Sequence, residues 1–443
     1  MNIYIKLEIE TRELTSRLVL GMYAAAKGHQ VLIGDDELLE LVQKKKLNPG
    51  IILEKSITPT NLRIKQLEDY KDNKSITTSI DEEGGLLREE IDTWLNVRFS
   101  EKTISLTDKI FCWGKYDYEK LIKLFPKYQK KFVITGNPRV NIWGKKYKDL
   151  FSLPDIKNKK YILISANFGI GVSSKRLSEI FELHKENNYF NNKQYEVDFV
   201  EMKNYNLELL FKFVSAINYI TKRFPNFNFL VRPHPSESVK NWNDFFKKIK
   251  NLEISNDFTH SDLIENSEII IHHGCTAGVE AYARKKKIIS FEPMEKKSNI
   301  DFSNRFGYTA KNEIELGNLI EKIHDIEKID KINKEEEYFE EFINRFNNFE
   351  NENFANNINN EWSKFENKEL SKKNNLWKIK FINKLRLFKN IFIKPYFNEK
   401  FPPLDKKKIT NIINKIKKTD SSLNNVHFEL IGPKLFKLSS IKW

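Results

Sequence analysis

Apolar and polar positions alternate over residues 1–9, which predicts an opening strand. A helical period follows over 13–27, through Leu14, Leu18, Met22 and Ala25, and Gly28-His29 stops it. The same exchange of short apolar runs and helical periods continues along the chain. Strands are predicted over 30–34, 50–54, 75–80, 107–113 and 131–136, with helices over 36–45, 60–70 and 116–125 between them. Gly136-Asn137-Pro138-Arg139 then breaks the rhythm, and residues 145–160 are polar and basic.

The rhythm resumes over 161–166. That strand ends in Asn167-Phe168-Gly169-Ile170-Gly171, a glycine turn of weak specificity. A helix over 207–223 shows Leu210, Phe213, Ala216, Ile217 and Ile220 on one face, and further strands are predicted over 229–231, 252–255, 269–271 and 288–291. Helices over 242–249, 261–266 and 277–283 separate them, 297–308 reads as irregular, and 312–326 as helical. Strands alternating with helices favour parallel sheets covered on both faces. The expected fold class is therefore α/β, with two Rossmann-like parallel-sheet domains facing a cleft and a helical, basic C-terminal tail. Domain limits are placed at 1–145, 146–330 and 331–443.

Length and charge narrow the classes. With 443 residues and 40% hydrophobic positions, two or three packed units are expected. Cys112 and Cys275 are the only cysteines, so neither a disulfide framework nor a thiolate zinc site is indicated, and a cytoplasmic setting fits. Charges at the start replace the apolar core of a signal peptide, and no run reaches membrane-spanning length. The formal net charge of +14 is concentrated between Lys372 and Lys418. No zinc-finger, KH-type or RNP-like pattern accompanies it, which argues against nucleic acid. The wealth of Asn, Lys and Ile matches an AT-rich codon bias.

Candidate chemistry sits where strands end, because ligands of open α/β sheets collect beyond the carboxyl ends of the strands. After the 269–271 strand come His272, His273, Gly274, Cys275 and Thr276, opening a helix whose N-terminus can hold an anion. Arg232 and His234 arrive from the neighbouring strand end, with His234 fixed between Pro233 and Pro235. His272 and His273 would point to opposite faces, one packed and one at the strand tip. In the first half, Asp81, Glu82 and Glu83 precede Gly84-Gly85. Crowded carboxylates raise one another's pKa, which suits acid or base work, although a solvated acidic turn has the same composition. Neither a GxGxxG fingerprint after the first strand nor a Walker lysine motif is present, and no His/Asp set has metal-ligand spacing.

Glu10-Thr11-Arg12-Glu13-Leu14, Gly28-His29, Asp81-Glu82-Glu83-Gly84, Thr135-Gly136-Asn137-Pro138-Arg139, Arg232-Pro233-His234-Pro235 and His273-Gly274-Cys275-Thr276 with Glu280 form one set. This set resembles bacterial surface-carbohydrate biosynthesis proteins of GT-B type, similar to the capsule and O-antigen Kdo transferases and more distantly to CDP-glycerol glycerophosphotransferases. It spans roughly Met1 to Glu292. The resemblance implies a transferase that takes a nucleotide-activated sugar, with a CMP-linked ulosonic acid as the expected donor, and a glycan or lipid-linked acceptor. It implies no cofactor and no metal. The donor would lie in the second domain against Asn167, Gly169, Arg232, His234, Pro235, His273, Gly274, Cys275, Thr276 and Glu280. The acceptor would lie in the first, near Glu10, Arg12 and Arg17, with the base among Asp81, Glu82 and Glu83. The acidic motif departs from the Glu-Asp-Gly-Phe form of Kdo transferases and leaves the base open. A polyol-phosphate transferase, a nucleotide-sugar epimerase and a non-catalytic glycan-binding scaffold remain alternatives on the same fold.

From Leu376 to Lys394, Trp377, Phe381, Leu385, Phe388 and Phe392 share one helical face, and Lys378, Lys380, Lys384, Arg386 and Lys389 fall mostly elsewhere. Such a helix either caps the core or lies on the inner face of the cytoplasmic membrane.

Overall fold

The structure, a computed structural model, describes residues 1–82, 91–153, 160–165, 167–169, 171–186, 193–294, 302–324, 335–347, 354–367, 369–390 and 402–440. Two compact units result, Met1–Leu150 with Phe339–Trp443, and Phe151–Tyr338. In chain order the strands are β1 (Asn2–Lys6), β2 (Gln30–Gly34), β3 (Ile51–Glu54), β4 (Ile76–Ile80), β5 (Lys109–Cys112) and β6 (Phe132–Ile134). The second unit holds β7 (Tyr161–Ser165), β8 (Asn228–Arg232), β9 (Leu252–Ile254), β10 (Ile269–His272), β11 (Lys287–Phe291) and β12 (Tyr308–Ala310). The last pair, β13 (Val426–Gly432) and β14 (Leu435–Ser440), returns to the first unit.

The first unit is built on an eight-stranded sheet ordered β13-β14-β2-β1-β3-β4-β5-β6. From β2 to β6 every pairing is parallel. Ile3, Tyr4, Ile5, Val31, Leu32, Ile33, Ile51, Ile52 and Leu53 are all fully buried, as two-sided strands require. Two of this unit's helices begin where a side chain accepts an otherwise orphaned backbone N–H. Asp35 caps Asp36–Gln43 through Glu37, and Thr60 caps Asn61–Asp72 through Arg63.

The segment expected to form a separate extension from residue 331 is instead part of this unit from Phe339 onward. Its contacts explain the difference. β14 pairs antiparallel with β2, from Leu435 opposite Gly34 to Leu438 opposite Val31. Phe436 and Leu438 are fully buried there, while the helix Lys406–Thr419 buries Ile409, Ile413 and Ile416. Asn374 ties the returning chain to the first strands. Its side chain donates to Tyr4 Oη at 2.8 Å and accepts from Asn48 N at 2.7 Å, and its backbone N–H donates to Gln30 Oε1 at 3.0 Å.

The second unit carries a wholly parallel six-stranded sheet, β12-β11-β10-β7-β8-β9. Its core gathers Phe168, Phe213, Ile217, Ile220, Trp242 and Phe291 around the central strands. β12 begins only where the stretch read as irregular ends, at Tyr308, and forms a sheet edge that the sequence reading did not assign. The helix leading to β8 runs Lys193–Arg223, longer than its apolar period predicts. Its second half faces the core through Leu209, Leu210 and Phe213, whereas Val197, Val200 and Met202 in its first half are exposed. No helix among the described residues is long and apolar enough to cross a membrane.

Candidate functional site

Parallel pairing sends the ends of β7, β8, β10 and β11 to one edge of the second unit. Ser165 lies opposite Arg232, Ile164 opposite Ile271, and His272 opposite Ser290. The turn at 167–169, the loop at 233–238 and the turn at 273–276 therefore share that edge.

One buried carboxylate binds two of these segments together. Glu237 Oε1 accepts from Phe168 N at 2.6 Å and Gly169 N at 2.9 Å, and its Oε2 accepts from His234 N at 3.1 Å and Trp242 Nε1 at 3.0 Å. Gly169 adopts φ +69° to turn the chain, a conformation that favours glycine. Asn167 and Pro235 are exposed. His234 is exposed as well, and its Nδ1 accepts from Ser236 N at 3.2 Å with Ser236 Oγ at 2.8 Å. That contact places the neutral ring's proton on Nε2.

Arg232 is buried beneath this loop and donates to its neighbour Pro233 O. Burial lowers its pKa, against the opposing carboxylates of Glu237 and Asp257. His260 stands 2.8 Å from Ser165 Oγ, and burial, with Arg232 and His234 nearby, depresses it to about 3. It is neutral at working pH. His272 is fully buried against Gly278 and is likewise held at about 3, by burial first and then by His273 and His260.

His273 sits half-buried at the strand tip. Its Nδ1 donates to Phe291 O at 2.9 Å, and its Nε2 accepts from Tyr205 Oη at 3.3 Å. Gly274, at φ +56°, donates its N–H to Asn304 Oδ1 at 2.6 Å. This N–H is thus already committed. Cys275 caps the helix Thr276–Ala283 by accepting from Ala277 N at 3.3 Å, and burial pushes its thiol up to about 11. It is a capping group with little thiolate character. Thr276 is half-buried at the first turn.

Glu280 is buried one turn into the same helix. It pairs with Arg284 at 3.0 Å, and Arg284 also contacts Glu265 at 2.9 Å, all three being buried or nearly so. Glu280 and Arg284 stand four residues apart, which on a helix puts them side by side.

In the first unit the β4 end is held from several sides. Asp81 pairs with Arg98 at 2.8 Å, and its carbonyl accepts from Trp113 Nε1 at 2.7 Å. Glu82 pairs with Arg17 at 2.9 Å, with side-chain exposures of 1% and 0%. Its backbone is fixed by Lys55 O at 3.1 Å and by Arg139 Nη1 at 3.3 Å. Each carboxylate of this pair therefore has its own arginine as partner. Glu83 lies outside the described residues.

Glu10 is held by Lys408 at 2.8 Å and Arg12 by Glu13 at 2.9 Å. Burial raises the Glu13 carboxyl, but Arg17, Arg12 and the N–H of Glu8 outweigh it and leave the pKa low. Arg17 is buried inside this network rather than presented at its surface. Asp117, absent from the sequence candidates, accepts from Trp113 N and Gly114 N, each at 2.9 Å, and burial lifts its carboxyl to about 7. It borders a cavity shared with Asp81, Trp94, Phe111 and Trp113.

The second-unit edge thus gathers a buried cation, the exposed imidazole of His234, the half-buried one of His273 and a helix N-terminus, groups of the kind that balance a phosphate. Glu237, Asn304 and Tyr205 hold them and were not anticipated. Glu237 alone left a signal, since it lies in the same short loop as His234. Among the described residues no group of three or more His, Cys, Asp or Glu side chains is placed to hold a metal.

No family model matches the chain, and no curated protein matches it. Solved structures do. The UDP-GlcNAc 2-epimerase of Methanocaldococcus jannaschii, solved with UDP-GlcNAc and UDP, is similar at a TM-score of 0.50 and 15% identity, over 82% of this chain and 100% of that one. A variant of the wall teichoic acid polymerase TagF is similar at a TM-score of 0.50 and 12% identity, over 82% of this chain and 88% of that one. At such identities the likeness speaks to architecture, and together with two mostly parallel sheets it makes the fold GT-B.

Proposed function

We propose that the protein is a nucleotide-sugar-dependent glycosyltransferase of bacterial surface-polysaccharide synthesis. The observation that carries this reading is the gathering of Arg232, His234, His273 and the 274–276 turn on one sheet edge of the second unit. The donor phosphates would bind there. As the bond between the anomeric carbon and the phosphate oxygen breaks, that oxygen keeps the electron pair, and Arg232, His234 and the helix N-terminus offset the charge. The acceptor hydroxyl would lose its proton to a carboxylate of the first unit, Asp81 or Glu83, as its oxygen bonds to the anomeric carbon. The fold's likeness to TagF, a wall teichoic acid polymerase, supports a role in surface glycans. The resemblance to Kdo transferases favours a CMP-linked ulosonic acid as donor.

A second reading is a nucleotide-sugar epimerase, favoured by the full-length coverage of the M. jannaschii enzyme. A thermal-shift panel of CMP, CDP, UDP and GDP with their sugars tests both, because a ligand of the native state raises its melting temperature. Cytidine shifts that vanish in His234→Ala, whose side chain is exposed, support the transferase. Uridine shifts with conversion of a single nucleotide sugar favour the epimerase. No shift with any nucleotide refutes both.

A further inference from the structure

The helix Trp377–Asn390 carries the feature that the proposed reaction leaves unused. Trp377, Phe381 and Ile382 are 57%, 58% and 48% exposed, on a helix whose inner side is pinned. At its root Asn374 is bound to Tyr4, Gln30 and Asn48. The carbonyl of Lys372 accepts from Asn2 Nδ2 at 2.8 Å. Along its length Asn383 is buried and donates to Ile431 O at 3.4 Å, and Lys380 pairs with Glu429. A large apolar face held this firmly cannot turn inward to hide, and water is a costly neighbour for it.

Charge identifies what fits. Lys372 and Lys373 just before the helix and Lys378 on it are exposed, with Lys378 Nζ 5.6 Å from the Trp377 ring. From Leu376 to Lys394 the sequence holds six basic residues and no acidic one. A second copy of the chain would bring the same cations to the same face and repel it. A bilayer with anionic headgroups supplies both an apolar layer for the rings and negative charge for the lysines.

We propose that this helix is a docking surface for an anionic lipid bilayer, lying in the headgroup plane with Trp377, Phe381 and Ile382 inserted. The inference does not depend on the reaction proposed above.

Co-sedimentation of the full chain with vesicles tests it. Vesicles of phosphatidylcholine and phosphatidylglycerol in equal parts should pellet the protein, and phosphatidylcholine alone should not. Trp377→Ser with Phe381→Ser should cut partitioning by about tenfold or more at unchanged melting temperature, because both side chains are exposed. Replacing Lys372, Lys373 and Lys378 by Gln should cost about fivefold each. Failure of the wild-type chain to pellet with anionic vesicles, or pelleting undiminished in the double serine variant, overturns the proposal. Loss in that variant of a concentration-dependent dimer, without vesicle binding, also overturns it and assigns the face to self-association.

Discussion

Replacing Glu237 by Gln removes one carboxylate oxygen and leaves the shape of the side chain unchanged. In the native state four donors converge on that carboxylate, Phe168 N, Gly169 N, His234 N and Trp242 Nε1, at 2.6 to 3.1 Å. The amide keeps one acceptor oxygen for two of them and turns its own N–H groups toward the other two. Two donors, one buried and one partly buried, then lack an acceptor, at ~1–3 kcal/mol each, so a loss of about 2–6 kcal/mol in the second unit is expected. Urea denaturation measures the loss. Trp242 is the only tryptophan between Phe151 and Tyr338, so fluorine NMR on 5-fluorotryptophan protein reports the local change directly. The Trp242 resonance should shift or broaden, and any nucleotide-induced thermal shift should weaken, because the same carboxylate sets the His234 backbone. A variant within ~0.5 kcal/mol of wild type, with an unmoved Trp242 signal, would refute the idea that Glu237 organises this edge.

Gly278→Ala tests the packing on His272. A Cβ there would collide with the imidazole and stand 2.7 Å from Ser303 O, so about 1–3 kcal/mol of overpacking should outweigh the ~1 kcal/mol gained in helix propensity. Net stabilisation in thermal denaturation would show the contact to be wrong. Arg17→Met strands the buried Glu82 carboxylate and should cost ~3–5 kcal/mol, most of it recovered when Glu82→Leu is added. Equal losses in the single and double variants would disprove the pairing. The pH dependence follows from His260 and His272, whose folded pKa values of about 3 lie below the ordinary histidine value near 6.5. Folding then favours the neutral rings. Their contribution is complete above about pH 6.5 and is lost as pH falls toward 3, because the unfolded chain takes up the protons first. Melting temperature against pH should fall across that window, with a flatter slope in His272→Leu.

The central strands were legible because parallel strands buried on both faces leave continuous apolar runs such as Ile269-Ile270-Ile271. β13 and β14 were not. Several of their side chains are half-buried or exposed, so alternation is weak, and the strand that completes the pairing lies near the other end of the chain. The abundance of asparagine looked like codon bias, yet Asn374 joins Tyr4, Gln30 and Asn48 into one buried knot. At the second-unit edge the turn residues could be read from glycine and proline. Their partners could not, since Asn304 reaches Gly274 from thirty positions away. The partner of Glu280 is local, an arginine one helical turn later.

The order in which the chain leaves the ribosome has a consequence for its folding. Residues 151–338 form a continuous unit and can close as soon as they emerge. The first sheet cannot. Until Leu435–Ser440 is translated, β2 presents an unpaired edge of Val31, Leu32 and Ile33, and the helix Glu10–Ala26 lacks the helix Lys406–Thr419 beside it. An apolar open edge of this kind invites pairing with other chains. The N-terminal half should therefore be the last part to mature and the part most dependent on holding chaperones during synthesis.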